Sequence, residues 1–131
     1  MPLRVKVSDH LDRLETDLDR VTTRVYADGT KIVRDGIKLG ASLARDNARR
    51  TARRHGKHYP NSITPEMKLV SGGFGLIVGE YGPDPAKRQG GMSFEMGSRN
   101  QPPHLDLAKS ADIIGPAFAG EVHAKIPEWF W

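Results

Sequence analysis

Leu11, Leu14, Leu18, Val21 and Val25 recur every three or four residues, with Asp12, Arg13, Glu15, Asp17, Asp19, Arg20 and Arg24 in the gaps. That spacing predicts an amphipathic helix, with Ser8 or Asp9 placed to cap its first free N–H groups. The stripe also matches a short coiled-coil seam. It covers too few heptads for that reading, so the expected face is one turned toward a core. Asp28-Gly29-Thr30 then punctuates the pattern. Thr30 caps a second predicted helix that ends near Gly56. Its inner positions are Val33, Ile37, Gly40, Ala41, Ala44, Ala48 and Ala52. Side chains this small predict a neighbour packed close to the helix backbone. Gly36 and Gly40 are expected points of bending or breakage, each costing about 1 kcal/mol relative to Ala.

Pro60-Asn61-Ser62-Ile63-Thr64-Pro65 reads as a loop. Met67, Leu69 and Val70 predict a strand, Ser71-Gly72-Gly73 a turn, and Leu76, Ile77, Val78 and Tyr81 the returning strand of a β-hairpin. Gly75 and Gly79 weaken that strand or mark bulges. Residues 81–91, rich in Gly and Pro, predict a long mobile loop. After Pro102-Pro103 a helix is expected from His104 to Lys125. Its buried face would be Leu105, Ala108, Ala111/Asp112, Ile114/Gly115, Phe118 and Val122. Gly115-Pro116 should kink or split it. The end, Pro127-Glu128-Trp129-Phe130-Trp131, carries three aromatics that fold back on the chain's own core or seat in a neighbouring subunit.

These elements define one α+β domain over 1–131, with two or three helices packed on a small antiparallel β-sheet with a long loop. Its parts are N-terminal helices in 9–56, a hairpin and loop in 66–103, a C-terminal helix in 104–125 and an aromatic tail in 127–131.

Composition sharpens the picture. A chain with 37% hydrophobic and 27% charged residues is polar for a free-standing globule. It fits a marginal monomer completed by oligomerisation. With no cysteine, disulfides, thiol catalysis and cysteine-based zinc sites are excluded. No run reaches the roughly 18 apolar residues of a membrane helix. Met1-Pro2-Leu3-Arg4-Val5-Lys6 lacks the apolar core of a signal peptide, so the expected location is a cytoplasm or a particle assembled there. The net charge of +4 is uneven: residues 1–65 hold 14 Lys/Arg against 8 Asp/Glu, and residues 66–131 hold 6 against 8. Such a chain can dock on copies of itself or turn one side to DNA.

Candidate chemistry is sparse. Arg45, Arg49 and Arg53 line one strip of the second predicted helix, and Arg50, Arg54 and Lys57 the strip beside it, with only Asp46 opposing. This face could contact phosphates without reading bases, or stay solvated, or pair with an acidic neighbouring subunit. His10, His55, His58, His104 and His123 form no metal-binding spacing. Glu80, Asp84 and Glu95 offer no pattern that argues for convergence in an acid–base pair. Ser93 and Ser98 lack a nucleophile elbow, and no nucleotide-binding fingerprint occurs. No catalytic residue, cofactor or metal is expected; a small metal-dependent hydrolase using Glu80 or Glu95 is the weakest rival.

The order of parts resembles the small tail-component family of long-tailed bacteriophages, the tail-completion proteins similar to minor tail protein Z. The likeness runs over about residues 30–122. It rests on the Ala/Arg-rich helix, on Val78-Gly79-Glu80-Tyr81, on Phe94-Glu95-Met96-Gly97-Ser98, and on Pro102-Pro103-His104 before a last helix. Met96, Ser98 and His104-Leu105 depart from the commonest letters of that family. The resemblance implies a virion protein at the head–tail junction, with copies forming a ring, expected to be a hexamer. The ring would join a tail terminator or tail-tube protein to the head-closure or connector protein; a place as the tail terminator or head-closure protein itself is the alternative within the class. Phe94, Glu95, Met96, Gly97, Pro102, Pro103, Trp129, Phe130 and Trp131 would then form subunit interfaces. Arg45, Arg49, Arg50, Arg53, Arg54 and Lys57 would face packaged DNA. No membrane partner is implied. Outside that class, the alternative is a nonspecific nucleic-acid-binding protein that uses the basic helix.

Overall fold

In the computed structural model, which describes residues 7–71 and 76–130, the chain is built on one helix. α1 runs unbroken from Val7 to Ala52, 46 residues, roughly 69 Å at about 1.5 Å per residue. The two helices expected here are therefore one, and Ser8 and Asp9 lie inside it. Asp28-Gly29-Thr30 does not break it because each residue has a helical role. Asp28 accepts a hydrogen bond from the Trp129 indole (2.8 Å) and Thr30 Oγ1 donates to the Tyr26 carbonyl (2.7 Å). Gly29 leaves room for Ile77, which a Cβ would meet at 3.0 Å. Gly40 is not a break either. A Cβ there would overlap the ring of Tyr81, so glycine at this position sets how close the sheet can come.

Against α1 pack α2 (Tyr59–Ser62), the antiparallel strands β1 (Ile63–Ser71) and β2 (Leu76–Pro83), and α4 (Asp106–Phe130). A single turn, α3 (Ser93–Met96), precedes α4. The class is α+β, with, among the described residues, two long helices and two single-turn helices on a two-stranded sheet. The loop expected over 60–65 is instead the end of α2 and the start of β1. In β2 the residues alternate: Ile77, Gly79 and Tyr81 turn inward, while Leu76, Val78 and Glu80 are exposed. The register slips between Met67 and Leu69, leaving Lys68 as the extra residue opposite Gly79. The bulge thus lies in β1, across from the glycine expected to mark one. Gly72, Gly73, Gly75 and Trp131 lie outside the described residues.

The core is small. It consists of Ala41, Ala44, Ala48 and Ala52 on α1 against Tyr59, Ile63 and Phe94. The alanine stripe therefore has the close neighbour that its side-chain sizes predict. The loop after β2 is tied down. Asp84 N donates to the Ser62 carbonyl (2.8 Å), Lys87 N to Asp84 O (3.0 Å) and Gly90 N to Lys87 O (3.0 Å).

α4 corrects two expectations. It continues through Pro116 and Pro127 as one helix. Asp112 and Pro116 both lie on its exposed side, so water can meet the carbonyl that Pro116 leaves unpaired. Its contact face keeps only part of the predicted one, Ile114 and Val122, and adds Leu107, which packs against the core. Leu105, Ala108, Ala111, Asp112, Gly115 and Phe118 are exposed, with Ile114 and Val122 half-buried, and the buried residues are Asp106, Ser110 and Trp129. α4 is held through polar groups and Leu107 at its start, through Ile114 and Val122 along its length, and by an indole at its end.

Candidate functional site

The stretch from Met92 to Ser110 concentrates the buried polar chemistry of the molecule. Phe94 stacks on Tyr59 at 4.7 Å between ring centroids, which seats α3 on the core. Gly97 then has φ +83, where a Cβ would be strained and would meet Pro103 N at 2.9 Å. The chain folds back through mutual Ser98–Gln101 backbone bonds (2.8 and 3.2 Å). His104 N then donates to Phe94 O (2.9 Å) and Leu105 N to Glu95 O (3.3 Å).

This turn aims Glu95 at the start of α4. Its carboxylate accepts from Leu107 N (2.8 Å) and Ala108 N (2.9 Å), satisfying two free N–H groups in the first turn of the helix. Glu95 is 4% exposed. Asp106, fully buried, accepts from Thr51 Oγ1 at 2.9 and 2.8 Å and binds α4 to α1. Its backbone carbonyl accepts from Asn47 Nδ2 at 3.2 Å. Ser110 Oγ donates to Leu107 O (2.6 Å), which leaves the Tyr81 hydroxyl as donor to Ser110 (2.7 Å). Both buried carboxylates thus tie α4 in place, Glu95 through two backbone N–H groups and Asp106 through the one hydroxyl proton of Thr51, shared between its oxygens. Glu80 lies apart on the hairpin, paired with Lys68 at 3.2 Å, and Asp84 Oδ1 accepts from Ala86 N at 2.9 Å. The three carboxylates weighed as an acid–base group do not converge. Among the described residues no cluster of three metal-ligating side chains occurs, and no helix is long and apolar enough to cross a membrane.

Tyr59 is buried with its hydroxyl unpartnered among the described residues. Burial first, then the charges of Glu95 and Asp106, push its pKa from 10.0 up to about 12. The folded state therefore holds this proton more tightly than the unfolded chain does. Its contribution is intact below pH 10 and is lost as pH rises toward about 12. Tyr59→Phe removes an orphaned hydroxyl. It is expected to leave stability at neutral pH unchanged or up to about 1 kcal/mol higher, and to shift alkaline unfolding to higher pH. Urea unfolding and tyrosinate absorbance against pH check both.

The expected interface residues divide into two groups. Phe94, Glu95 and Gly97 serve the chain's own fold, as does Trp129, which is 7% exposed and bound to Asp28. Met96 (68% exposed), Pro102, Pro103 and Phe130 face outward. The arginine face divides as well. Arg45 Nε donates to the Ile63 carbonyl (2.8 Å), Arg49 pairs with Asp46 (2.7 Å) and Arg50 donates to the Asn47 side chain (2.6 Å). Arg53, Arg54 and Lys57 lie beyond the helix end and are exposed.

The largest surprise is at the other end of α1. Leu14 and Leu18, expected to face a core, are 53% and 54% exposed. Among the described residues α4 reaches as far as Asp28 and Arg24, through Trp129 Nε1 (2.8 Å) and the Glu128 carbonyl (3.5 Å). Comparison with family models, with curated proteins and with solved structures returns no match.

Proposed function

We propose that this chain is a structural subunit whose apolar surface is completed by other chains in an assembly. The observation that carries this reading is the free end of α1. Residues 12–20 are exposed on every side, yet they present Leu14 and Leu18 at helical spacing, continuing into half-buried Val21 and Val25. A solitary helix with such a stripe would expose apolar area to water for no gain. Other surfaces support the reading. An apolar groove of about 350 Å³ lies open between α1, β2 and α4, lined by Val33, Ile37, Ile77, Ile114 and Phe118. The outer hairpin face exposes Leu69, Leu76 and Val78.

Within that class, the resemblance carried by Phe94–Ser98 and Pro102-Pro103 favours a tail-completion ring at the head–tail junction of a long-tailed phage. Such a ring would join tail-tube or terminator to head-closure protein, and it acts by stoichiometric binding, with no turnover. Met96, Pro102, Pro103 and Phe130 are its outward-facing contact candidates.

Quantitative mass spectrometry of purified virions against the tail-tube subunit tests this. About six copies per particle is the expected result, as for a closed sixfold ring. Absence from particles that contain every other neck protein would overturn the phage reading. The Leu14→Asp/Leu18→Asp variant is expected to keep its helical circular dichroism and to drop out of the assembly. Incorporation at the normal level would remove the α1 stripe from the interface.

A further inference from the structure

We infer that the turn after α1 and the loop after β2 together form a binding site for the phosphate backbone of duplex DNA. It comprises Arg53, Arg54 and Lys57 from the turn and Lys87 and Arg88 from the loop. This differs from the helix face expected from the sequence, half of which is already committed to Ile63, Asp46 and Asn47. It does not rest on the assembly reading above.

Two segments distant in sequence are fastened together here by one side chain. Gln89 Nε2 donates to the His55 carbonyl (2.7 Å), and Gln89 Oε1 accepts from His58 N (2.6 Å). That places Lys87 and Arg88 beside Arg53, Arg54 and Lys57. All five are exposed, and none has an ion pair or side-chain hydrogen bond among the described residues. Asp84 is the one acidic residue in the two segments 53–58 and 84–89, and its carboxylate already accepts from Ala86 N.

The backbone carries a second, independent sign. Three non-glycine residues among those described have positive φ, and two of them are here: Arg53 (φ 44) and Gln89 (φ 58). Arg53 follows the last residue of α1, the position where glycine is the usual helix terminator. An arginine there sacrifices stability, and such strain marks sites kept for another reason.

The ligand class follows from what surrounds the charges. A protein interface of this size would need an apolar or aromatic anchor at its centre. The exposed residues of these two segments are polar or charged apart from Pro85 and Ala86. Single strands are gripped by stacking on several exposed aromatics, and the two segments expose no Phe, Tyr or Trp, only the His55 imidazole. A duplex backbone needs only spaced cations, three of them arginines that can fork onto phosphate oxygens.

The experiment is fluorescence anisotropy of the full chain with a labelled mixed-sequence duplex of about 30 base pairs, from about 50 to 200 mM salt. With up to five phosphate contacts, affinity is expected to fall roughly a hundred- to a thousand-fold over that range. Arg53→Ala/Arg54→Ala and Lys87→Ala/Arg88→Ala should each flatten the salt slope by about 2, whereas Arg49→Ala/Arg50→Ala should leave it unchanged. Gln89→Ala changes no charge but should weaken binding about tenfold, because it releases the loop; circular dichroism confirms that the variant is folded. Arg53→Gly should raise the thermal midpoint while lowering affinity, opposite signs that a purely structural arginine would not give. The inference is overturned if binding is absent at low salt, or if the Arg49/Arg50 pair controls the slope and the Lys87/Arg88 pair does not. It is also overturned if polyglutamate of equal charge competes as well as unlabelled duplex, which would make the partner an acidic protein.

Discussion

Glu95→Ala is expected to lower the unfolding free energy by about 3 kcal/mol, measured by urea unfolding followed by circular dichroism. Three losses add in the same direction. Two charge-assisted bonds to Leu107 N and Ala108 N disappear. The negative charge that complements the α4 N-terminus goes with them. Both N–H groups are then left without their partner at a place that α3 covers. Glu95→Gln keeps the shape and one acceptor oxygen, and its amide group turns one contact repulsive; a loss of about 1 to 2 kcal/mol is expected. A Glu95→Ala protein as stable as the parent would mean that α4 is held without this cap. Glu95 would then be available to a neighbouring subunit, as the sequence reading had it.

Trp129→Ala should cost about 3 kcal/mol, the low end for a buried tryptophan because the site is near a helix end. Its indole covers α1 around Asp28, and its N–H occupies the Asp28 carboxylate at 2.8 Å. Loss of both should free the last turns of α4, so hydrogen exchange at 120–130 should accelerate more than exchange in the Ala41–Ala52 stripe. Trp129→Phe retains most of the apolar area and should cost about 1 kcal/mol, the value of one hydrogen bond. Unchanged exchange in Trp129→Ala would show that the tail is not seated on α1.

What could be read from the chain, and what could not, follows from how each element is held. The hairpin was legible because β2 alternates residue by residue, and the alanine stripe because its neighbours must come close. α1 was misread as two helices because Asp28, Gly29 and Thr30 have turn character when considered locally. Their helical roles depend on Trp129 and Ile77, far along the chain. The buried face of α4 was hidden because Asp106 and Ser110 are polar, and they enter the interior only because Thr51 and Tyr81 meet them. Glu95 reads from the sequence as a subunit-interface residue, whereas its target is the start of α4 in its own chain. Glu95 lies 11 residues before the first helical residue of α4, well outside the spacing of a capping box. Leu14 and Leu18 teach a different lesson. A helical stripe states that a partner surface exists and is silent on whether the same chain supplies it.

The continuity of α1 also makes it a protractor. A helix advances about 100° per residue, and nothing between Leu14 and Ala52 interrupts the count. The direction in which the leucine stripe points is therefore locked to the direction of the basic turn, roughly 57 Å away. One residue inserted near Ala27 would leave each end locally intact and rotate one against the other by about a quarter turn. Seven would nearly restore the angle and lengthen the rod by about 10 Å. Whatever meets the two ends must share that fixed bearing.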